Sequence, residues 1–325
     1  MNRKRIAITM GDPGGVGPEI IVKALVSKEV RGNIVPIIIG NRSIMQDAVK
    51  LSDVDIEFEH DLSKSSEEDK EMVFLTDIDD IKEIKKGSAT AEGGRTSAEC
   101  IKKAVKMCTN NEADAMVTAP ISKEAIHLAG HSWPGHTEML AELTNTEKVG
   151  MMFVGESLKV ILVTIHVPLQ SVPALITEEK VYDTILLAEK ACTMLSVDSP
   201  RIAVAGLNPH AGEGGLFGSE EEAQILPAIQ RSQKEGHNVL GPFPPDVIFK
   251  KALDGGFDVV VAMYHDQGLI PFKMLYFDKG VNTTIGLPII RTSPDHGTAY
   301  DIAWKGIADP SSMIEAILLA ERMEI

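Results

Sequence analysis

The feature that most limits how this chain can fold is a recurrence of short, almost wholly apolar runs separated by amphipathic stretches. The runs lie at 6–10, 34–39, 115–117, 160–165, 202–205 and 259–263, many of them rich in Val and Ile and bounded by Gly, Pro or Asp. Runs of this length and composition read as strands buried on both faces. Between them, 18–28, 95–109, 135–145, 178–196, 219–235 and 309–323 carry helical periodicity. Two of these stretches contain capping-box pairs, Ser219 with Glu222 and Ser312 with Glu315, which predict where each helix opens. Buried strands alternating with helices predict an α/β fold with a largely parallel sheet. At 325 residues the chain is too long for one small core, so one large α/β unit or two lobes are expected. Residues 61–71 are polar and read as a surface loop.

Composition narrows the function. Lys and Arg number 32 against 47 Asp and Glu, a formal charge of −15, which argues against a nucleic-acid partner. An acidic chain can still bind an anion by gathering a few cations in one cleft. The three cysteines have no CxxC spacing, so a disulfide framework is not expected. The basic start is followed by an apolar run of only Ile6-Ala7-Ile8, which lacks the form of a signal peptide. With no stretch near membrane-span length, a cytoplasmic enzyme with no membrane partner is the expectation.

A histidine follows three of the apolar runs: His166 after 160–165, His210 after 202–209, and His265 after 259–264. Ligands of open α/β sheets bind beyond the carboxyl ends of strands, so three imidazoles placed there can converge. Imidazole is a common ligand of zinc and similar ions, and three protein ligands leave positions open for substrate. The alternative is that each ring separately hydrogen-bonds a neighbouring loop. Asp266, beside His265, and Asp246, in Pro244-Pro245-Asp246, read as outer ligands, orienters of an imidazole or general bases. For Asp246 a helix N-cap is an equal reading.

Gly11-Asp-Pro-Gly-Gly-Val-Gly-Pro18 matches neither GxGxxG nor the P-loop pattern and reads as a tight strand-to-helix connection. The run 212–218, with Gly212, Gly214 and Gly215, and the run 293–301, with Asp295, His296 and Thr298, are candidate cofactor loops. Lys273 and Arg291 are candidate anchors for an anionic substrate, and His136 and Thr137 open a helix whose positive end can face one.

These motifs occur together in one known family. Gly11–Glu19, Pro134–Glu138, Asn208–Gly218, Met263–Gly268 and Arg291–Ala299 resemble, in order, the motifs of the 4-hydroxythreonine-4-phosphate dehydrogenase family. The resemblance implies a two-lobed, three-layer α/β/α fold of the isocitrate and isopropylmalate dehydrogenase kind, not a Rossmann fold. It implies one dehydrogenase unit spanning 1–325 with a cleft between its lobes. His166, His210 and His265 would hold a divalent ion, zinc first, with magnesium, cobalt or manganese as alternatives. His136, Thr137, Lys273, Asn282 and Arg291 would contact a phosphorylated substrate. Asp246, Asp266 and Lys273 remain the acid–base candidates. NAD is the implied cofactor, with NADP as the alternative, and a homodimer sharing its active site is the implied assembly. The reaction would oxidise the C3 hydroxyl of 4-hydroxythreonine 4-phosphate, followed by decarboxylation. A branch acting on D-threonate or D-erythronate 4-phosphate is the alternative; 138–144 and 300–304 look more like that branch, whereas Gln267–Lys273 looks like the members that act on 4-hydroxythreonine 4-phosphate. A metal-dependent hydrolase or aldolase and a non-catalytic binding protein are more remote readings.

Overall fold

The computed structural model describes residues 3–64, 72–78, 81 and 84–325. The predicted polar loop therefore falls largely outside the described residues. The chain divides into two compact units, one comprising residues up to Glu147 together with Leu287–Met323, the other Lys148–Gly286.

The first unit is built on β1 (Lys4–Thr9), β2 (Ile34–Gly40), β3 (Phe58–Glu59), β4 (Val73–Asp77) and β5 (Ala115–Thr118), to which the returning chain adds β12 (Arg291–Pro294). Their order is β3-β4-β2-β1-β5-β12, and every pairing is parallel. Each residue of β2 and β5 is buried, as befits strands covered on both faces. Helices α1 (Gly17–Leu25), α2 (Arg42–Ser52) and α11 (Ser311–Arg322) pack as one group. Helices α3 (Ala91–Thr109), α4 (Lys123–Leu128) and α5 (His136–Leu143) form another.

The second unit contains β6 (Gly150–Val154), β7 (Lys159–Leu162), β8 (Ile202–Ala205), β9 (Val239–Phe243), β10 (Val259–Ala262) and β11 (Val281–Ile285), in the order β11-β6-β7-β10-β8-β9. Here β6 runs antiparallel to both β7 and β11, while β7, β10, β8 and β9 are mutually parallel. Helices α6 (Val172–Leu175), α7 (Glu178–Met194), α8 (Leu226–Lys234), α9 (Pro245–Leu253) and α10 (His265–Tyr276) complete the unit. Phe153, Val160, Leu162, Ala262, Ile248, Phe249, Leu269 and Phe272 form its core against α9 and α10. Burial of such side chains contributes about 1.5–3 kcal/mol each. No helix among the described residues is long and apolar enough to cross a membrane.

All six predicted strands are present, though the run 160–165 is a strand only to Leu162. The capping boxes are not. Pro310 precedes α11, and Asp309, three residues before the predicted Ser312, accepts from Ser311 N at 2.8 Å. Ser312 lies inside the helix, where its hydroxyl accepts from Asp295 N at 3.2 Å. At the other site the helix opens with a π turn, Glu221–Ile225, without a side-chain cap. The reason is that Glu221 turns inward to bind the preceding loop. Asp246 is not an N-cap either: Pro245 takes the first helical position of α9 and leaves Asp246 in the first turn.

Candidate functional site

In the second unit, β10 is hydrogen-bonded between β7 and β8, all three parallel, so their carboxyl ends lie side by side. His265 begins α10 directly beyond β10, His166 follows β7, and His210 follows β8. The predicted strand-end placement is therefore what the fold produces. His166 and His210 are exposed and His265 is partly so. The rings of His166 and His265 stand 5.6 Å apart, centre to centre. Two imidazoles on one ion with metal–nitrogen bonds of about 2.0–2.1 Å would have centres roughly 5 Å apart, so this pair fits a shared ion. His210 instead lies 6.1 Å from the ring of Phe217. Among the described residues no three His, Cys, Asp or Glu side chains are grouped closely enough to hold a metal. The donor set thus fits in chemistry and strand position, with two rings adjacent and the third apart.

Asp266 Oδ1 lies 2.7 Å from His265 Nδ1, the arrangement that orients a ligand imidazole and leaves Nε2 for the ion. Asp246 is exposed on the first turn of α9, a helix that packs against the turn Pro209–Gly212 carrying His210. Lys273 lies on α10, two turns beyond His265, and is partly buried. Asn282 lies on β11 opposite Phe153 of β6.

Buried residues that the sequence reading passed over hold these strand ends together. Thr164 Oγ1 donates to Met263 O at 2.8 Å, tying the end of β7 to that of β10. Gln267 and Glu221 bind the backbone at the end of β8. A glutamine directly after the His265-Asp266 pair was the available signal for Gln267. For Glu221 there was none, because its partners are more than twelve residues away.

The loop 212–218 is open at its tip. A side chain at Gly214 would meet nothing within 4 Å, and one at Gly215 only Glu222 at 3.8 Å. Gly212 differs: a Cβ there would come within 2.8 Å of Glu221 Oε2, so its identity is accounted for within the chain.

The first unit gathers the other candidates. Arg291 is 3% exposed, and its Nε and Nη2 donate to Thr118 Oγ1 at 3.2 and 2.7 Å. Burial pulls its pKa down to about 9, so it remains a cation at neutral pH. His136 and the buried Thr137 open α5 after Gly135, as the sequence predicts. Burial, then the Arg291 charge, hold the His136 pKa well below its ordinary value. Its buried Nε2 has no hydrogen-bond partner among the described residues. A neutral imidazole with a vacant nitrogen, a buried guanidinium and a helix N-terminus together suit an anion.

Asp295, His296 and Thr298 follow β12. His296 is exposed, with Nδ1 2.9 Å from Gly297 O, and Thr298 O accepts from Val16 N at 3.0 Å. Tyr300 donates to Asp12 Oδ2 at 2.8 Å and Trp304 Nε1 to Pro13 O at 2.9 Å. The glycine run 11–18 is a buried connection bonded to the 298–304 segment.

The chain's organisation is that of known dehydrogenases. A solved structure described as 4-hydroxythreonine-4-phosphate dehydrogenase from Klebsiella pneumoniae matches 99% of this chain and 99% of its own, with a TM-score of 0.91 and 40% identity. A 4-hydroxythreonine-4-phosphate dehydrogenase of Geobacter metallireducens is 48% identical over 99% of this chain and 96% of its own. A putative D-threonate 4-phosphate dehydrogenase of Oceanobacillus iheyensis is also 48% identical, over 96% of this chain and 95% of its own. The family described as Pyridoxal phosphate biosynthetic protein PdxA matches residues 33–320, and the chain belongs to it.

The depressed His136 pKa makes a prediction about acid stability. The unfolded chain takes up a proton near pH 6.5 that the folded chain refuses, so this contribution is complete above that value and is lost as pH falls below it. His136→Gln should lose less thermal stability than the parent between about pH 7 and 5. Parallel melting curves of parent and variant across that window would remove the depressed pKa.

Proposed function

We propose that this chain is an NAD-dependent, divalent-metal-dependent dehydrogenase that oxidises the C3 hydroxyl of 4-hydroxythreonine 4-phosphate and releases the carboxylate as CO2. The observation that carries this reading is the set of three histidines beyond the adjacent strands β7, β10 and β8, in a chain with relatives named 4-hydroxythreonine-4-phosphate dehydrogenase. His166, His210 and His265 would hold the ion, with zinc first. The adjacent His166 and His265 rings and the Asp266 contact support this. When bound, the ion supplies Lewis acidity that lowers the pKa of the substrate hydroxyl.

The side chains do the remainder. Arg291, His136 and Thr137 bind the anionic part of the substrate, with Lys273 and Asn282 as further contacts. The hydroxyl proton passes to Asp246 or Lys273, because Asp266 is engaged with the His265 ring. When bound, a nicotinamide cofactor would supply the acceptor for the C3 hydride, and the protein supplies the alignment. In the resulting 3-oxo acid the bond to the carboxylate breaks, its electron pair passes into an enol, and protonation at C2 gives the ketone. The loops around Gly212, Gly214 and Gly215 and around Asp295, His296 and Thr298 are the proposed cofactor contacts. NADP is the alternative cofactor, and the proposed setting is the cytoplasm.

Equal identity to a relative named for D-threonate 4-phosphate favours a second reading, in which the C2 amine is a hydroxyl and the chemistry at C3 is unchanged. NADH release with the two phosphorylated substrates separates the readings. The first predicts higher kcat/KM for 4-hydroxythreonine 4-phosphate, and a preference for D-threonate 4-phosphate would replace it with the second. Arg291→Ala should raise KM for either, by about 10–100-fold if an ionic contact of roughly 1.5–3 kcal/mol is lost. An unchanged KM would remove Arg291 from the site.

A homodimer is part of the proposal. Ile270, Met274 and Phe277 are 59%, 82% and 75% exposed at helical spacing along α10, a stripe that a second copy would cover. Met274→Asp should shift the chain toward monomer in sedimentation equilibrium. A dimer of unchanged affinity would exclude this stripe as the contact.

A further inference from the structure

The turn that carries His210 is held by a carboxylate that none of the proposed chemistry uses. Glu221 is 3% exposed. Its Oε1 accepts from the backbone N–H groups of Leu207 at 2.8 Å and Asn208 at 2.7 Å, and its Oε2 accepts from Asn208 Nδ2 at 2.9 Å. Three donors on one buried carboxylate make a strong, charge-assisted anchor.

The backbone beyond the anchor is in an unfavourable conformation. His210, Ala211 and Glu213 have φ of +55°, +53° and +44°, a left-handed run that residues with a Cβ seldom adopt. Such conformations persist only where surrounding contacts over-determine them. Glu221 is the group in position to do so. Space is cleared for it on both sides: a Cβ on Gly206 would lie 3.1 Å from its Oε1, and one on Gly212 would lie 2.8 Å from its Oε2.

Behind the turn, Gln267 joins the same strand end to His265. It is buried two residues beyond His265, accepts from Met263 N at 2.6 Å, and donates to Gly206 O at 2.7 Å. One amide therefore spans the carboxyl ends of β10 and β8. The Glu221 anchor starts at the next residue, Leu207. The run from Gln267 through Gly206 to Glu221 is continuous, and it fixes where the His210 backbone starts.

We propose that Glu221 is a positioning residue for His210, holding the strained 207–213 turn, with Gln267 registering that turn to the strand end bearing His265. The proposal rests on the reading of these histidines as ion ligands. Removing the anchor releases the turn to ordinary backbone conformations, so the His210 ring samples many positions and ion affinity falls. Substrate anchors in the first unit are untouched.

The test uses the full chain with Co2+ as probe, titrated by calorimetry into the parent, Glu221→Ala, Glu221→Gln and Gln267→Ala. Loss of an outer partner of a metal ligand typically weakens binding by about 10–100-fold. That loss is expected in Glu221→Ala. A smaller loss is expected in Glu221→Gln, whose amide oxygen can still accept the two backbone donors. Amide hydrogen exchange should quicken across 207–215 in Glu221→Ala while the β7 and β10 amides keep their protection. KM for the phosphorylated substrate should stay within about twofold of the parent.

Co2+ affinity and exchange both unchanged in a folded Glu221→Ala chain would overturn the proposal. If that variant fails to fold, Glu221→Gln decides, and parental affinity with parental exchange in it overturns the proposal equally. A parent that binds no Co2+ would refute the ion reading itself. Exchange across 207–215 would then still test the anchor, faster in Glu221→Ala if it holds and unchanged if it does not.

Discussion

The parallel pairing of β7 and β8 with β10 is the constraint on which the candidate site depends. Parallel strands direct their carboxyl ends to one edge of the sheet, so whatever follows each strand is delivered to the same place. Had β10 run the other way, His265 would stand at the opposite edge from His166 and His210. Strand interiors of Val, Ile and Ala, wholly buried, leave no alternative register that avoids exposing apolar surface. Hydrogen bonds from Thr164, Gln267 and Glu221 then convert neighbouring strand ends into a defined surface.

The first unit contributes a different kind of chemistry. Arg291 is inside the protein, where burial disfavours its charged form, and Thr118 Oγ1 is among the groups it donates to. His136 answers by staying neutral, since a second positive charge beside Arg291 would add to that cost. In the proposed function an anionic substrate would meet this buried cation, and the low local dielectric would strengthen their attraction.

Much of this was readable in the residues. Two-face burial writes an apolar run whatever the neighbours, which is why the strands at 34–39, 202–205 and 259–263 stood out. Strands β6 and β11 did not. Their Met, Gly and Asn residues carry weaker strand signals, and the antiparallel pairing of β6 with β7 and with β11 is a tertiary event. Helix openings were misplaced for local reasons, α11 opening after Pro310 with no side-chain cap where Ser312 matched the pattern, and Glu221 bonding the backbone of the preceding loop. The histidines were found because each follows a strand. Gln267 and Glu221 were missed because hydrogen bonds to distant backbone leave no periodic trace. Membership in the family came from motif order along nearly the whole chain, which no single loop could have supplied.

Everything functional in this account turns on the strand-end histidines acting as ligands of one ion. X-ray absorption at the zinc edge of the full-length, zinc-loaded chain tests this most directly. The account predicts nitrogen scatterers at about 2.0–2.1 Å with the outer-shell pattern of imidazole rings, diminished in His265→Ala. A shell of oxygen atoms alone, the same in parent and variant, would contradict it.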